Sequence, residues 1–378
     1  MHNLRRRVLA IILLLTVCIP SFGLAQNLNS PSKSTSNCAL DPTNIYTKTD
    51  RSVLKVLTLH VDPMRLVQRV QAGSGSAIAL GSGFFATNYH VVGKAEEVML
   101  VAEEEFLPAV VVGRDPALDV AVLFSSHDVF TGFSRQLPFA SEPEVLPGQP
   151  VYVIGYPLGA GRSISGGIVS GIERFLPLNT SAWTTRFIQT DAAISPGNSG
   201  GALINECGEL LGMVTLKNLA PGVENVGYAL PLETLEPIIT EIIDTGRVSR
   251  AWHGVYGQIV TPLILSLLGA DPSEEIAGFL VETVEPGSAA DRGGIRGGQV
   301  PVLWGLGEFV LGGDIITHVD GRQIVEIGDA VEIVEALKVG DRITIDYVRE
   351  GQKASTSIVL EERPFFESDA FPLYPVER

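Results

Sequence analysis

Short apolar runs separated by glycine-containing turns dominate the chain from Ser52 onward. Ten such runs stand out, at residues 53–61, 81–87, 98–101, 109–112, 120–124, 151–154, 168–172, 186–189, 202–204 and 210–215. Strands repeat at this spacing in all-β barrels and sandwiches. The pattern therefore predicts a mainly β fold for this part of the chain.

One stretch after these runs has a helical period instead. Residues 231–245 carry apolar side chains three and four positions apart, which places them on one face of a helix. We expect this helix to close the first domain and residues 246–250 to link it to a second. The apolar residues of that face are Leu235, Ile238, Ile239, Ile242 and Ile243.

The first 25 residues have the features of a cleavable signal peptide. Arginines at positions 5–7 precede an apolar stretch at 8–15, and the small residues Gly23 and Ala25 precede the expected cleavage point. Such a signal predicts a periplasmic or otherwise extracytoplasmic protein. The alternative is an uncleaved membrane anchor, although the stretch is short for a membrane span and is followed by Pro20.

Residues 26–45 are rich in Ser, Asn, Pro and Thr and contain few apolar side chains. A segment of this composition buries too little surface to offset the entropy of ordering its backbone. We interpret it as a flexible leader before the first domain.

The charge of the chain limits the classes of macromolecule that it can bind. The formal net charge is -16, and Lys and Arg are not clustered after residue 7, so the sequence argues against a nucleic-acid partner.

Cys18 leaves with the signal, while Cys38 and Cys207 either pair or remain free thiols, since no spacing rule decides between these outcomes. The sequence has no ligand spacing for a metal and no trace of an organic cofactor.

Three segments carry candidate chemistry. Ser199 lies in a Gly-Asn-Ser-Gly-Gly turn, where glycines let backbone amides converge on one point. Upstream, His90 lies in Thr-Asn-Tyr-His-Val-Val and Asp119 in Asp-Pro-Ala-Leu-Asp-Val-Ala-Val-Leu. Acyl transfer by serine needs an imidazole to take the hydroxyl proton and a carboxylate to orient that imidazole.

In the order His, Asp, Ser, these segments resemble the HtrA/Deg family of trypsin-fold serine proteases. The resemblance implies a double β-barrel over residues 46–248 with the site in the cleft between the barrels. It also implies that His90 is the general base, Asp119 the orienting carboxylate and Ser199 the nucleophile. The expected oxyanion hole comprises Gly197, Asn198 and Ser199.

Residues 251–362 resemble the PDZ domain that follows the protease in HtrA proteins. PDZ domains bind a peptide as an added strand, with loop amides receiving its terminal carboxylate. The resemblance places that loop at Trp252, His253, Gly254 and Val255. Residues 297–310 form an insertion that either reshapes the peptide groove or packs on the protease, and residues 363–378 are a C-terminal tail.

The resemblance further implies an endopeptidase that cuts unfolded or damaged proteins. Its partners are then protein or peptide substrates, peptide ends at the PDZ domain and two further copies in a homotrimer. Ile194 and Leu216 are expected to line an apolar specificity pocket, which favours a small aliphatic residue before the cut. Residues 175–185 match a regulatory loop of the family.

Two alternatives belong to other classes. Gly-Asn-Ser-Gly-Gly also fits the nucleophile elbow of α/β-hydrolases, but that fold places its acid and base after the serine and surrounds it with a strand-turn-helix unit, which this sequence lacks. The second alternative is a non-enzymatic scaffold, in which the protease is held inactive and the PDZ domain captures partners. The complete set of three segments argues against permanent inactivity.

Overall fold

The computed structural model describes residues 40–61, 70–141, 145–177, 184–215, 225–269, 277–304 and 307–364. The two barrels and the C-terminal domain described below belong to one compact unit. Over these described ranges, no helix has the length and apolar character needed to cross a membrane.

The first barrel has six antiparallel strands in the order β1-β2-β3-β6-β5-β4 and closes through pairing of β1 with β4. Buried aliphatic side chains and Phe85 fill its interior. Helices α2 (Tyr89–Val92) and α3 (Ser126–Thr131) follow its third and sixth strands, and α1 (Pro42–Lys48) precedes the barrel. Because α1 begins at Pro42 and buries Ile45, the prediction of a flexible leader through residue 45 is wrong at its last residues. Its strands are β1 (Val53–Val61), β2 (Val70–Gly81), β3 (Phe84–Thr87), β4 (Glu97–Ala102), β5 (Glu105–Asp115) and β6 (Val120–Phe124).

The second barrel closes in the same way, in the order β11-β14-β13-β12-β7-β8 with β11 paired to β8. A separate two-stranded ribbon pairs β9 (Leu176–Pro177) with β10 (Thr184–Thr185). The expected double β-barrel is confirmed, and each barrel has six strands. The barrel strands are β7 (Pro150–Gly155), β8 (Ser163–Gly171), β11 (Ile188–Thr190), β12 (Ala202–Ile204), β13 (Leu210–Thr215) and β14 (Gly227–Pro231).

The predicted helix is α4 (Leu232–Thr245), and it ends at Gly246, whose φ of 78° is a left-handed C-cap. Its buried face packs on both barrels, because its isoleucines join the core cluster that also contains Val122 of β6 and Met213 of β13. Strand β5 passes so close that a Cβ at Gly113 would lie 2.2 Å from the Gly246 carbonyl oxygen. Glycine at 113 therefore allows the helix end to contact the first barrel.

The C-terminal domain is a sheet in the order β16-β17-β20-β22-β23, with β21 beside β20 and a separate pair of β15 with β24. Helices α5 (Pro262–Leu267), α6 (Ala289–Arg292) and α7 (Ile327–Ala336) pack around it. Among the described strands, β16 pairs only with β17, so it is an edge strand. The strands are β15 (Ala251–Trp252), β16 (Val255–Ile259), β17 (Phe279–Val284), β18 (Val300–Trp304), β19 (Gly307–Leu311), β20 (Ile315–Val319), β21 (Arg322–Gln323), β22 (Arg342–Arg349), β23 (Gln352–Val359) and β24 (Glu361–Glu362).

Helix α7 begins with a reciprocal cap. The Glu326 side chain bonds the backbone at the third helical position, and the Asp329 carboxylate accepts N–H groups from Glu326 at 2.9 Å and Val325 at 2.8 Å. These backbone hydrogen bonds, that from Glu326 first, hold the pKa of Asp329 below its usual value. The start of α7 is therefore fixed relative to the loop before it.

The insertion at 297–310 is mostly a β-hairpin, β18 paired with β19. Phe309 and Leu311 of its second strand are buried with Leu280 of β17 and Ile264 of α5. The Val310 N–H donates to Glu282 Oε1 at 3.0 Å, which ties the hairpin to β17. The hairpin thus packs on its own domain, at the side of the sheet that carries α5.

Cys207 of the second barrel is part of a disulfide, which excludes the free-thiol alternative for this residue. The other two cysteines of the chain, Cys18 and Cys38, lie outside the described residues.

The linker between the domains is held by an ion pair to the first barrel. Arg250 donates from Nη2 to Asp115 Oδ2, and from Nε to Asp115 Oδ1 at 3.2 Å. The Asp115 side chain is 3% exposed, and Oδ1 also accepts the Ala117 N–H. A carboxylate this deeply buried is stable as an anion only while its partners remain.

Replacing Arg250 by glutamine should lower the free energy of unfolding by about 3 kcal/mol, because the Asp115 charge loses its cationic partner. The matched control is Arg322→Gln, which removes an exposed pair with Glu332 and should cost under about 1 kcal/mol. Urea denaturation of the two variants measures the difference. Equal costs would show that the linker ion pair contributes no more than a surface pair.

Candidate active site

Asp119 lies in the turn between β5 and β6, with a φ of 58° in the left-handed region that few non-glycine residues occupy. Two donors hold its backbone carbonyl, Asn88 Nδ2 at 2.9 Å and the Tyr89 N–H at 3.1 Å. Its side chain is 1% exposed. The carboxylate therefore has a fixed position and is shielded from water.

His90 is bonded twice to that carboxylate. Its backbone N–H donates to Asp119 Oδ1 at 2.9 Å, and its ring Nδ1 lies 2.7 Å from Oδ2. A carboxylate is an acceptor, so Nδ1 carries the proton and Nε2 of the neutral ring is an acceptor. This is the tautomer that a general base for a serine hydroxyl requires.

Thr215, at the end of β13, contacts the same carboxylate from the second barrel. Its hydroxyl donates to Asp119 Oδ2 at 3.1 Å, and its side chain is buried. This role was not predicted, because residue 215 entered the sequence pattern only as the end of the apolar run 210–215. The available signal was a polar residue at the end of an otherwise apolar strand.

The Ser199 turn is held against the first barrel by strand β2. The Ser76 N–H donates to the Ser199 carbonyl at 2.8 Å, and the Ser76 hydroxyl donates to the Gly197 carbonyl at 2.8 Å. The same hydroxyl accepts the Tyr156 N–H at 3.0 Å, and the Ser76 carbonyl accepts the Thr87 hydroxyl at 2.7 Å. Ser76 therefore connects the nucleophile turn to the segment that leads into His90.

Glycine is required at two positions of this turn. Gly197 has a φ of 99°, and a Cβ there would lie 2.3 Å from the Tyr156 carbonyl oxygen. Gly200 has a φ of 78°, and its Cβ would lie 2.1 Å from the Ser76 carbonyl oxygen. Both the backbone angles and the close approach exclude a side chain.

The expected oxyanion hole included Asn198, and the structure corrects this, because the Asn198 amide has another partner. It donates to the Ser195 carbonyl at 3.0 Å and closes the turn, so it is not directed at a substrate oxygen. The Pro196 carbonyl accepts the Leu158 N–H at 2.6 Å. Because C=O and N–H point in opposite directions across a trans peptide, this bond turns the Gly197 N–H away from Leu158.

Comparison with known proteins identifies the family of this chain. The trypsin-like peptidase domain family matches residues 73–213, and the PDZ domain family matches residues 266–360. Protease Do-like 1 of Arabidopsis thaliana, a chloroplastic protein, is 33% identical over 332 residues, which cover 85% of this chain and 69% of that protein. The chain belongs to the HtrA/Deg family of trypsin-like serine proteases.

Two further relatives extend the comparison. A Marinomonas protein named "Probable periplasmic serine endoprotease DegP-like" is 33% identical over 308 residues, covering 80% of this chain and 59% of that protein. The chain thus spans about three fifths of the length of this DegP-like relative. The solved HtrA-type protease AlgW with decapeptide has a TM-score of 0.67 at 27% identity, covering 86% of this chain and 99% of that one.

Ile194 lies before the nucleophile turn of this HtrA/Deg chain. It is half-buried and packs with the core of the second barrel. A Cβ at Gly227 of β14 would lie 2.3 Å from Ile194 Cδ1, so the absence of a side chain at 227 leaves room for the isoleucine. Leu216, the other predicted pocket residue, lies outside the described residues.

The predicted PDZ loop joins β15 to β16. Trp252 ends β15, and Gly254 has a φ of 74° with its Cα so near Ser288 that a Cβ would lie 2.1 Å from the serine Cβ. The His253 carbonyl accepts the Ala290 N–H at 3.0 Å, and the Gly254 carbonyl accepts the Glu285 N–H at 2.8 Å. Val255 begins the edge strand, so the loop leads directly into the exposed edge.

An apolar groove lies beside this loop. Its wall includes Val255 of β16 together with Ala330, Ile333 and Val334 of α7, and among the described residues that line it His253 alone is polar. Across the described residues, no group of three or more His, Cys, Asp or Glu side chains is placed to hold a metal ion.

Replacing Gly197 by alanine should lower peptidase kcat/KM by about a hundredfold to a thousandfold, the usual cost of losing one oxyanion donor. The added methyl group cannot fit against Tyr156, so the turn must move. Gly161→Ala is the matched control, since that glycine is three residues after Leu158 with no atom within 4 Å of an added Cβ and no positive φ. Equal activity of the two variants in a peptide hydrolysis assay would contradict the role given to Gly197.

Proposed function

We propose that this HtrA/Deg chain is an extracytoplasmic serine endopeptidase that cuts unfolded proteins. The observation that carries the proposal is the set of hydrogen bonds at the Asp119 carboxylate. It accepts from the backbone N–H and the ring Nδ1 of His90 and from the Thr215 hydroxyl of the other barrel. The extracytoplasmic location rests on the signal-like first 25 residues and on the periplasmic name of the Marinomonas relative.

The proposed reaction begins with His90 taking the Ser199 hydroxyl proton as the serine oxygen attacks a peptide carbonyl. Asp119 stabilises the imidazolium that forms, and Thr215 keeps the carboxylate oriented. The amides of Gly197 and Ser199 receive the oxyanion. His90 then protonates the leaving amine, and water releases the acyl group by the same route.

Substrate choice is expected to depend on Ile194 beside Gly227 and on Leu216. An isoleucine side chain at this wall favours a small aliphatic residue before the cut. A homotrimer and capture of peptide ends by the PDZ domain are proposed by analogy with the family. Edge strand β16, the apolar groove and the loop at 252–255 support peptide capture, because β-augmentation needs an open strand edge.

The proposed activity is tested with reduced, unfolded casein at neutral pH and without added metal. The mature chain should degrade casein, and Ser199→Ala should lose on the order of a millionfold in kcat. Ser195→Ala, four residues earlier in the same turn, is the control and should retain activity. Degradation by Ser199→Ala at the rate of the unaltered chain would exclude Ser199 as the nucleophile.

We also propose that the PDZ domain regulates the site through Glu335 of α7. Its carboxylate lies 3.4 Å from the Thr185 hydroxyl and 3.7 Å from Arg186 Nη2. These two residues precede β11, and the chain from β11 leads to the Ser199 turn. Phe175 packs at the start of the same helix, since its ring is 3.4 Å from where a Cβ at Gly328 would lie.

The charge of Glu335 contributes to this contact. Burial raises the pKa of Glu335, with Arg186 acting in the opposite direction. The carboxylate therefore takes up a proton at a higher pH than an exposed glutamate, and the ion pair weakens as the pH falls toward that point.

If the contact transmits peptide binding, Glu335→Gln should abolish the change in casein hydrolysis that added peptide causes. Allosteric couplings between sites commonly amount to about 5-fold to 150-fold, and we expect the ratio of rates with and without peptide to fall to about one. Glu332→Gln, which changes an exposed glutamate of the same helix, should keep the ratio of the unaltered chain. Retention of that ratio by Glu335→Gln would contradict the coupling.

A further inference from the structure

The PDZ loop of this chain contains an internal acceptor at the place where a peptide carboxylate is expected. His253 Nδ1 accepts the Val255 N–H at 3.0 Å. Val255 is the last of the loop residues whose amides are expected to receive a terminal carboxylate. The imidazole therefore occupies one of the donors that a peptide end needs.

The position of the imidazole strengthens this competition. His253 lines the apolar groove between β16 and α7, so its ring lies where the end of a peptide on the β16 edge would enter. As an acceptor, Nδ1 carries no proton, so the ring is neutral in this arrangement. A carboxylate has to displace the ring or find it protonated.

Protonation would reverse the role of His253. An imidazolium has N–H groups at both nitrogens, so Nδ1 can no longer accept from Val255. The Val255 N–H is then released, and the ring becomes a cationic donor next to the loop. Both changes favour an anionic carboxylate over a neutral peptide end.

Burial, and secondly the charge of Arg363, oppose protonation of His253 in the absence of ligand. Burial lowers the pKa of His253 to about 4, and the positive charge of Arg363 adds to that effect. The described residues that line the groove include no charged side chain other than a protonated His253. The charged residues of the elements around the loop are Glu282 of β17, Glu285 before α6, Asp291 and Arg292 on α6, Asp329, Glu332 and Glu335 on α7, and Glu361 and Glu362 of β24.

Several of these neighbours are engaged elsewhere. Arg292 is 2.9 Å from Glu361, and Asp291 accepts the Gly287 N–H at 2.8 Å. On α7, Glu335 contacts Arg186 of the protease. A bound peptide carboxylate therefore adds a negative charge that the resting groove lacks.

We propose that His253 is a specificity-determining gate, which makes binding of peptides with a free C-terminal carboxylate to this PDZ domain coupled to proton uptake. The proposal rests on the proposed capture of peptide ends and adds the residue that controls it. At neutral pH the imidazole competes with the carboxylate for the Val255 N–H. As the pH falls, the imidazolium pairs with the carboxylate, and affinity increases.

The direction follows from linkage. A bound carboxylate raises the pKa of His253 above its value in the unliganded domain, so the complex holds a proton that the free protein does not. Affinity then rises as the pH falls from the pKa of the complex toward about 4, by at most about tenfold per pH unit for one proton. It is flat above the pKa of the complex.

The experiment uses the full mature chain with Ser199→Ala, so that peptides are not cut. The probe is a fluorescein-labelled pool of octapeptides with three random C-terminal residues, prepared once as the free acid and once as the C-terminal amide. Fluorescence polarisation measures the protein concentration that half-saturates each peptide pool, from pH 7.5 to 5.0. We expect at least tenfold tighter binding of the free acid at pH 5.0, and less than threefold change for the amide.

Two substitutions separate the parts of the gate. His253→Leu removes the acceptor and should bind the free acid at pH 7.5 at least threefold tighter than the parent, with no pH dependence. His253→Gln keeps an acceptor that takes no proton and should bind weakly at every pH. His318→Gln changes the other histidine of this domain and should follow the parent. Circular dichroism checks that each variant is folded.

The outcomes distinguish the gate from peptide capture itself. If the free acid binds equally well at every pH to the parent and to both His253 variants, the gate is wrong and peptide capture stands. A pH effect that persists in His253→Gln but disappears in His318→Gln would also overturn the gate. If none of the proteins binds either pool at any pH, the capture of peptide ends fails, and the gate fails with it.

Discussion

The Asp119 carboxylate is the interaction on which the rest of this active site depends. It is buried, its backbone is in a left-handed conformation, and it accepts hydrogen bonds from His90 of the first barrel and Thr215 of the second. A buried anion of this kind is stable only with all its donors in place. The alignment of the two barrels and the orientation of the imidazole are thus set by the same group.

The nucleophile turn depends on a different constraint, the close approach of backbone to backbone. Gly197 and Gly200 contact carbonyl oxygens at distances that leave no space for a methyl group, and Ser76 satisfies polar groups on both sides of the turn. The turn is therefore shaped by hydrogen bonds and steric exclusion.

Much of this arrangement could be predicted from local sequence, and the omissions have physical reasons. Strands with unbroken apolar runs, such as β6 and β13, were predicted with their observed bounds. Strand β2 was missed because its glycines and serines carry little hydrophobic pattern, although they let Val91 and the Ser199 turn pack against it. The Thr215–Asp119 and His253–Val255 hydrogen bonds arise from contacts in the fold that a linear pattern does not contain. The role of the Asn198 amide is set by the direction of a single peptide plane.

The linker ion pair has a consequence for how the two domains can be studied apart. Arg250 follows the last protease helix, yet its guanidinium neutralises Asp115, the last residue of β5 and four residues before Asp119. A protease fragment that stops at the end of α4 would therefore lose the charge partner of Asp115 along with the PDZ domain. Reduced activity of such a fragment would combine two defects, and a fragment that extends through Arg250 is the one that isolates the contribution of peptide capture.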